Sequence, residues 1–472
     1  MLKFEKYSPD VLKKYSRYIA GSPYNVNDIS VGSFYMWNQG VNLAFCETCG
    51  SFISMQDICG EPAFSYPFGG DDEKAVEELI HYVEENDLPL KFYGVTEDVL
   101  EKMQQNKAFG NLMFNYERKW SDYVYDAEEV STFKGRKFSG QRNHMNKFRS
   151  VYGEPDFRPF KKEDITDIKN MLAGYSAEHI SSGYEEDEEY IHTLELIDAF
   201  FEYDFIGGAL YFDNKPISVT IGEVQGENLI IHIEKALIEY KGVYPTTFNS
   251  FVKYAMKLYP QVKIVNREDD SGDIGLRTSK LQYNPIGLIN KYIVKVNSPL
   301  YGLTDSPVLK AENVVLSEIA ENDKTAYREL CTDTDNNKYW GYDYETDPEI
   351  TGAIDDDTFF DMVVFDRSVG DGISLAIRNE DINSEMIGEV IVYNFTYNKT
   401  AEFGIRLMPS AQGKGVAQNA AKLMLDWAEN ILGVRLRAKC YKENEKSKNL
   451  LLSCGFDEIN EDSEFCFFAY GK

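Results

Sequence analysis

The stretch Arg406-Leu-Met-Pro-Ser-Ala-Gln-Gly-Lys-Gly-Val-Ala417 decides how the last third of this chain is interpreted. Residues 400–408 alternate between apolar and polar side chains, which predicts a β-strand. Apolar side chains then recur at helical spacing over residues 417–432, which predicts an amphipathic helix. The loop therefore joins the end of a strand to the start of a helix, where free backbone N–H groups and the helix dipole attract anions. We expect a pyrophosphate to bind there, because Gly413 and Gly415 leave the backbone uncovered.

Several phosphate-binding motifs place glycines before a helix, and the residue types distinguish between them. A P-loop would require Ser or Thr directly after Gly413-Lys414, and a dinucleotide fingerprint would require a third glycine where Gln418 stands. The pattern Gln412-x-x-Gly415-x-Ala417 instead resembles the Gln/Arg-x-x-Gly-x-Gly/Ala signature of the GNAT superfamily of acyltransferases. That superfamily uses the signature to hold the pyrophosphate of acetyl-coenzyme A. A glycine-rich helix start without a ligand is the alternative interpretation.

Further elements extend this resemblance over about residues 311–472. Residues 386–393 and 401–407 resemble the long central antiparallel strand pair of the GNAT fold, and residues 434–440 resemble the strand that follows. The segment Asn444–Phe456 resembles the closing element, in which Asn and Ser precede a helix that ends in Gly-Phe. Within the superfamily, this part most resembles the ribosomal-protein-alanine acetyltransferases, for which Trp340 is also typical.

The resemblance implies an acetyl-CoA-dependent N-acetyltransferase, which needs a base for the attacking amine and a group near the departing thiolate. No histidine follows His232, so Glu402 is the candidate base, acting directly or through water; a solvent-facing strand carboxylate is the alternative. Ser447 would protonate or orient the thiolate, and Asn444 would contact the pantetheine, although Asn-x-x-Ser is also a common helix N-cap. The residues expected to bind the cofactor are Ile405, Leu407, Gln412, Gly413, Lys414, Gly415, Val416, Ala417 and Asn444.

The middle of the chain carries a second signature. Residues 231–236, 240–244, 266–269 and 275–281 follow one another in order, and a basic segment at residues 137–148 precedes them. Together they resemble the C-terminal domain of phosphatidylglycerol lysyltransferases, over about residues 1–296. That family contains two tandem GNAT-like folds and is related to enzymes that transfer amino acids from aminoacyl-tRNA. Those lysyltransferases also carry a membrane-embedded portion, whereas no stretch here approaches the roughly 18 apolar residues of a membrane span.

Two groups of charged residues in this region are candidates for a second site. Residues 134–149 hold six Lys or Arg and no acid, which suits phosphate recognition, for example of tRNA; a solvated helix face that balances nearby acids is the alternative. Residues 267–270 could bind a substrate amine or form a buried ion-pair network. The candidate residues are Lys137, Arg142, His144, Lys147, Glu234, Arg267, Arg277 and Lys280.

The middle region also has a loop before a helix, Tyr240-Lys-Gly-Val-Tyr-Pro245. Pro245 lacks an N–H group and Tyr244 adds bulk, so a pyrophosphate cannot be held there as at residues 412–417. We therefore expect only the C-terminal domain to bind coenzyme A.

Composition limits the remaining possibilities. The net charge of −29 argues against broad nucleic-acid binding and against binding to anionic membranes, and we expect no DNA partner. Seven cysteines in a large chain suit reduced thiols in a bacterial-type cytoplasm, and the start of the chain lacks the apolar core of a signal peptide. Cys46-x-x-Cys49 has no second pair of ligands, so we predict no metal site.

Together these observations predict an α/β (α+β) protein with three tandem GNAT-like acyl-CoA N-acyltransferase folds, each a mixed, mostly antiparallel sheet flanked by helices. The predicted boundaries are 1–130, 131–296, a linker at 297–310, and 311–472. The predicted function is N-acetylation of a small-molecule or peptide amine with acetyl-CoA and no metal. In the first alternative, residues 1–296 transfer amino acids from aminoacyl-tRNA; in the second, they only bind the substrate. We expect a cytoplasmic location without stable membrane insertion.

Overall fold

The computed structural model describes most of the chain. The described residues are 2–58, 60–181, 188–346, 350, 353–379 and 381–471.

The strands are numbered in chain order. They are β1 Glu5–Lys6, β2 Ala44–Thr48, β3 Ser51–Ile58, β4 Glu61–Phe64, β5 Lys91–Val95, β6 Leu112–Asn115, β7 Asp122–Asp126, β8 Asp156–Pro159, β9 Ile206–Phe212, β10 Lys215–Gln225, β11 Asn228–Ala236, β12 Ile264–Asn266, β13 Gly287–Ile289, β14 Tyr292–Val296, β15 Leu309–Ala311, β16 Val314–Glu318, β17 Gly372–Arg378, β18 Met386–Tyr393, β19 Thr400–Leu407, β20 Arg435–Tyr441, β21 Asp457–Glu461 and β22 Phe465–Tyr470.

The α-helices are numbered in the same way. They are α1 Pro9–Ala20, α2 Val31–Met36, α3 Asp72–Asn86, α4 Glu97–Gln105, α5 Ala127–Thr132, α6 Ser139–Tyr152, α7 Ile165–Ser181, α8 Glu188–Ala199, α9 Val243–Leu258, α10 Ile274–Leu281, α11 Lys324–Thr332, α12 Thr334–Asn337, α13 Thr358–Val369, α14 Val416–Trp427 and α15 Glu445–Ser453.

The strands form three mostly antiparallel sheets flanked by helices, which confirms the predicted fold class. The first sheet begins with the antiparallel strands β1 to β4 in chain order. The second has the order β13-β7-β12-β11-β10-β9-β8, and the third has the order β15-β16-β17-β18-β19-β20-β22-β21. In the second and third sheets one pair each is parallel, β11–β12 and β19–β20, and a helix connects the two strands of each pair. The second and third sheets therefore repeat one arrangement of strand, loop, helix and parallel strand.

The chain forms two compact units, and each unit consists of segments that are not consecutive in the sequence. The first contains residues 1–78, 93–102 and 116–292, and the second contains residues 79–92, 103–115 and 293–472. In the second unit, Leu300 lies in the core together with apolar residues of β17 to β20 and α14. Residues 297–310, which the sequence suggests as a linker, thus contribute to this unit.

The helix after the glycine loop follows the predicted apolar spacing. Ala420, Ala421, Met424 and Leu425 of α14 are buried against the third sheet, and Ala417 and Leu423 are partly buried. After Trp427, one π-helical turn continues the helix to Leu432, and Gly433 ends it in the left-handed conformation. Among the described residues, no helix is long and apolar enough to cross a membrane.

Candidate functional site

The predicted phosphate loop lies between β19 and α14 and is open to solvent. Residues 412–415 are exposed, and Gly413 and Gly415 have φ angles of 74° and 77°. A Cβ at either glycine would have no heavy atom within 4 Å, so the loop faces open space. Gly415 is the N-cap of α14, and the helix begins there without a side-chain cap. The first N–H groups of the helix have no intrahelical acceptor and are therefore directed at whatever occupies this space.

The strands beside this loop separate from each other. The parallel ladder between β19 and β20 consists of three residue pairs, from Thr400↔Arg435 to Glu402↔Arg437. Beyond these three pairs, β19 continues to Leu407 and is paired with β18 alone among the described strands, and β20 is paired there with β22 alone. The edge of β19 after Glu402 thus offers backbone groups to an extended ligand, as an unpaired strand edge does.

The corresponding loop of the second sheet is closed. Gly242, before α9, also has a positive φ of 84°, but a Cβ there would lie 2.2 Å from the carbonyl oxygen of His144 on α6. The backbone of α6 therefore occupies the position that is open at Gly413 and Gly415. This packing adds a steric obstacle to those that the sequence assigns to Tyr244 and Pro245.

Gln412 of the loop and Leu407 at the end of β19 both contact Asn336 on the short helix α12. The amide of Gln412 donates to Asn336 Oδ1 at 2.8 Å, and Asn336 donates to the carbonyl oxygen of Leu407 at 2.9 Å. Leu407 is buried and Ile405 is half-buried on the same, core-facing side of the strand. The Lys414 ammonium group donates to the carbonyl oxygen of Ser410 at 2.8 Å, within the loop itself.

Glu402 lies where β19 and β20 separate, and it has polar neighbours. Its carboxylate accepts hydrogen bonds from Tyr393 at 3.2 Å and from Asn394 at 3.1 Å. The Lys439 ammonium group is 4.0 Å away, and 29% of the Glu402 side chain is exposed. Burial and the Glu402 carboxylate raise the pKa of Tyr393, so this phenol remains a hydrogen-bond donor. Glu402 is thus neither deeply buried nor fully solvated.

Asn444 and Ser447 lie at the start of α15, after β20. The side chain of Asn444 accepts a hydrogen bond from the Ser447 N–H at 3.1 Å, which is an N-cap. Burial raises the pKa of the Cys440 thiol, and a hydrogen bond with Ser447 lowers it in part. The capping role that the sequence suggests is present.

A buried cluster below the third sheet was not recognised from the sequence. Arg406 Nε donates to the Glu389 carboxylate at 2.9 Å, and Tyr327 donates to the same carboxylate at 2.8 Å. Arg406 Nη2 lies 2.8 Å from this carboxylate as an ion pair. Burial alone would lower the pKa of Arg406, but Glu389 outweighs it and raises this pKa. The guanidinium carbon lies 4.5 Å from the ring centroid of Trp340. Gly404, an unusual residue within a strand, was the available signal for this close packing.

In the first unit, the segment 267–270 is the centre of an ion-pair network. Each of its side chains has a different charged partner: Arg267 pairs with Glu234, Glu268 with His232, Asp269 with Lys291, and Asp270 with Arg118 and Arg277.

Several pKa shifts follow from this packing. Burial would raise the pKa of Asp270, but hydrogen bonds from Arg277 and Tyr123 hold it well below the usual range. Burial lowers the pKa of Lys280, whose ammonium group donates to the carbonyl oxygens of Arg267 and Asp269. Glu234, Arg277 and Lys280 therefore all contact the segment 267–270, which contains Arg267, and their role as a common site stays a prediction.

Two polar atoms of this network lack a hydrogen-bond partner among the described residues. They are Glu234 Oε1 and Arg267 Nη1. The two side chains are about nine-tenths buried, with 10% and 11% of their surfaces exposed. The guanidinium of Arg267 also lies 4.5 Å from the ring centroid of Phe248 and 4.6 Å from that of Tyr283.

His232 lies between two carboxylates. Its ring nitrogens are 2.9 Å from Glu223 and 2.8 Å from Glu268. Burial disfavours its charged form, but the two carboxylates outweigh burial and raise the pKa of His232 to about 10. Gly32 lies against the imidazole, where a Cβ would come within 2.3 Å of the ring. These contacts favour a structural imidazolium over a base.

The other predicted residues of the second site lie on or beside α6. Arg142 donates to the carbonyl oxygens of Phe133 and Gly135, and Lys137 pairs with Glu129 at 2.6 Å. His144 and Lys147 are exposed. The guanidinium of Arg142 is thus fixed by backbone carbonyl groups, whereas the side chains of His144 and Lys147 are accessible to solvent.

Among the described residues, one group has the spacing of metal ligands, namely Glu458, Glu461 and Cys466. Both glutamates are exposed, and Lys448 pairs with Glu458 at 3.0 Å. An ammonium group thus already neutralises part of this charge.

Comparison with known proteins identifies two families along the chain. Residues 22–295 match the family described as "Phosphatidylglycerol lysyltransferase, C-terminal", and residues 313–457 match the family described as "Acetyltransferase (GNAT) domain". Both descriptions concern acyl transfer.

Individual relatives cover shorter parts. An uncharacterized protein of Mycoplasmoides gallisepticum is 26% identical over 180 residues, which are 37% of this chain and 56% of the relative. The spermidine N(1)-acetyltransferase of Vibrio cholerae is 30% identical over 111 residues, which are 23% of this chain and 64% of the relative. This chain thus spans between half and two thirds of the length of these curated relatives.

Among solved structures, a conserved protein of unknown function from Bacteroides thetaiotaomicron has a TM-score of 0.57 at 22% identity. The match covers 63% of this chain and 100% of that one, and it concerns the fold alone. The first family match extends over more than half of the chain. This protein therefore belongs to the phosphatidylglycerol lysyltransferase C-terminal family, and a GNAT acetyltransferase domain follows that region.

Proposed function

We propose that this protein is an acetyl-CoA-dependent N-acetyltransferase whose active site lies in the second unit. The observation that carries the proposal is the open glycine loop at the start of α14, beside the point where β19 and β20 separate. The loop offers backbone N–H groups to a pyrophosphate, and the separated strand edge suits an extended pantetheine chain. The match of residues 313–457 to an acetyltransferase family supports this assignment.

When bound, acetyl-CoA would supply an activated acetyl group as a thioester. The side chains of this protein would prepare the amine that attacks it. Glu402 would accept one proton from the ammonium group, directly or through water, so that the neutral nitrogen forms the new N–C bond. The C–S bond breaks, and the second proton of the nitrogen goes to the thiolate, which Ser447 would orient. Asn444 would contact the pantetheine in addition to capping α15. The relative named spermidine N(1)-acetyltransferase supports an amine as the acceptor.

The test is calorimetric titration of the full-length chain with acetyl-CoA. We expect binding in the micromolar range that is usual for enzyme substrates, roughly 1 μM to 1 mM. Gly415→Glu should abolish binding, because it places a negative side chain against the pyrophosphate.

Gly433→Glu is the matched control for this substitution. Gly433 also has a positive φ, at 66°, and is also exposed, with no heavy atom within 4 Å of the place a Cβ would take, but it lies at the opposite end of the same helix. Both variants introduce the same backbone strain and the same charge. Equal affinity of wild type and Gly415→Glu, or equal loss in both variants, would refute the loop assignment.

Aminoacyl transfer by residues 22–295 is a second candidate function. Family membership and the unpaired buried atoms of Glu234 and Arg267 favour it, because together these atoms could accept from and donate to one polar ligand group. Titration of the full-length chain with aminoacyl-tRNA and with the uncharged tRNA tests it. Binding of the aminoacylated form alone, lost in Glu234→Gln, would support this function; absence of binding would refute it.

A further inference from the structure

One face of β19 differs from the face that packs on α14. The side chains of Ala401, Phe403 and Leu407 are buried in the core. Because side chains alternate along a strand, Glu402, Gly404 and Arg406 share the opposite face. The candidate base Glu402 thus lies on a face of β19 that otherwise carries a glycine and a charged residue.

Trp340 lies directly on this face. A Cβ at Gly404 would come within 3.1 Å of the Trp340 ring atom Cη2 and within 3.0 Å of Ile391. Only glycine lets the indole approach the strand this closely. Residues two apart on a strand are separated by about 7 Å, so Glu402 is the next residue along the face on which the indole packs.

The indole is held in place from one side. The Arg406 guanidinium packs on one face of the ring at 4.5 Å, and Glu389 holds this guanidinium through a hydrogen bond to Nε and an ion pair with Nη2. Trp340 nevertheless remains partly exposed. A partly exposed aromatic surface therefore lies on the strand face that also carries the Glu402 carboxylate.

Charge is distributed unevenly along the acetyltransferase region. Residues 311–389, which include Trp340, contain 21 acidic and five basic residues. Residues 399–448, which include the glycine loop, contain ten basic and five acidic residues. Such a distribution raises the local concentration of a cation near the first segment and of an anion near the second.

We propose that Trp340 and Glu402 form the acceptor subsite, and that the acceptor is a protonated primary amine on an unbranched alkyl chain. The Glu402 carboxylate pairs with the ammonium group. The exposed part of the indole packs on the adjacent methylene groups and makes a cation–π contact with the ammonium group. This inference rests on the proposed N-acetyltransferase function and narrows its substrate class.

The probe is cadaverine, and its neutral counterpart of equal length is 1,5-pentanediol. Steady-state kinetics of the full-length chain measure kcat and KM for cadaverine at saturating acetyl-CoA, and the diol serves as a competitor. Trp340→Ala should raise the KM for cadaverine about tenfold, in line with the loss of one cation–π contact, with acetyl-CoA affinity unchanged. Trp340→Phe should lose less, and the diol should not compete.

Gly404→Ala provides a second perturbation that keeps the indole. The added methyl group forces Trp340 off the strand by a few tenths of an ångström, so this variant should also raise the KM. Trp37→Ala is the matched control, because Trp37 is likewise partly exposed but belongs to the first unit. It should leave the KM unchanged.

The outcomes separate this inference from the function on which it rests. If the wild-type chain does not bind acetyl-CoA, the proposed function fails. If it binds acetyl-CoA but Trp340→Ala and Gly404→Ala both keep the wild-type KM for cadaverine, the acceptor subsite is wrong and the function stands. Acetylation of an alanine-initiated peptide but not of cadaverine would likewise overturn the substrate class.

Discussion

Asp371, just before β17, should be essential for the stability of the second unit. Its buried carboxylate pairs with Lys91, and with Lys295 at 2.9 Å, and both lysine side chains are almost completely buried. Asp371→Asn removes the charge that neutralises two buried ammonium groups. Breaking a buried ion pair by removing one partner costs about 3–5 kcal/mol. For a unit of this size, one kcal/mol corresponds to roughly 2–4 °C, so we expect its melting temperature to fall by roughly 6–20 °C.

Differential scanning calorimetry of the full-length chain measures this effect. Asp305→Asn is the control, because Asp305 is exposed in the same unit. A loss below about 1 kcal/mol for Asp371→Asn would refute the reasoning, since that is the usual value of an exposed pair. A chain that begins at residue 305 lacks both lysines and should be destabilised for the same reason.

The pH dependence provides an independent check. Burial alone would raise the pKa of Asp371, but Lys295 and Lys91 lower it to about 2. The folded pKa is thus below the unfolded value of 3.8, so the contribution is present above pH 3.8 and is lost as the pH falls through about 2. The difference in unfolding free energy between wild type and Asp371→Asn should shrink over this acid range.

Three further predictions concern the other sites. Glu402→Gln should lower kcat about 10²–10⁴-fold without weakening acetyl-CoA binding, and the loss should shrink as the pH rises; full kcat at pH 7 would contradict the role as base. The His232 contribution to stability should be present below pH 6.5 and lost as the pH rises through about 10, because its folded pKa is the higher one. His232→Gln should therefore remove this alkaline decline, and superimposable urea-denaturation curves across the range would argue against it. If α6 contacts tRNA, alanine at both Lys147 and Arg149 should reduce the slope of log affinity against log salt by about two; an unchanged slope in filter binding would leave charge balance as their role.

Much of the fold could be predicted from local patterns in the sequence. The strand that ends in the Gly413–Gly415 loop, the helix after it and the strands on both sides were predictable, because alternation, helical spacing and turn residues are properties of short segments. The assignment of cofactor-binding residues within them stays a prediction until binding is measured.

Contacts between distant segments were not predictable in this way. No local pattern indicates that Lys91 and Asp371, 280 residues apart in the chain, neutralise each other. The sequence also left two roles open for residues 267–270, and the structure adds a network in which each side chain has a different partner. Such pairings depend on tertiary packing, which one sequence without homologues does not specify.

The discontinuous second unit has a consequence for the order of folding. Its segments 79–92 and 103–115 leave the ribosome long before residues 293–472, and they belong to the same compact unit. About 180 residues lie between them, so closing this contact is slow relative to local structure. During synthesis these early segments therefore remain without their final partners until the C-terminal domain emerges. The chain is consequently exposed to misfolding and to chaperones over this interval, and late truncations should harm its N-terminal half as well.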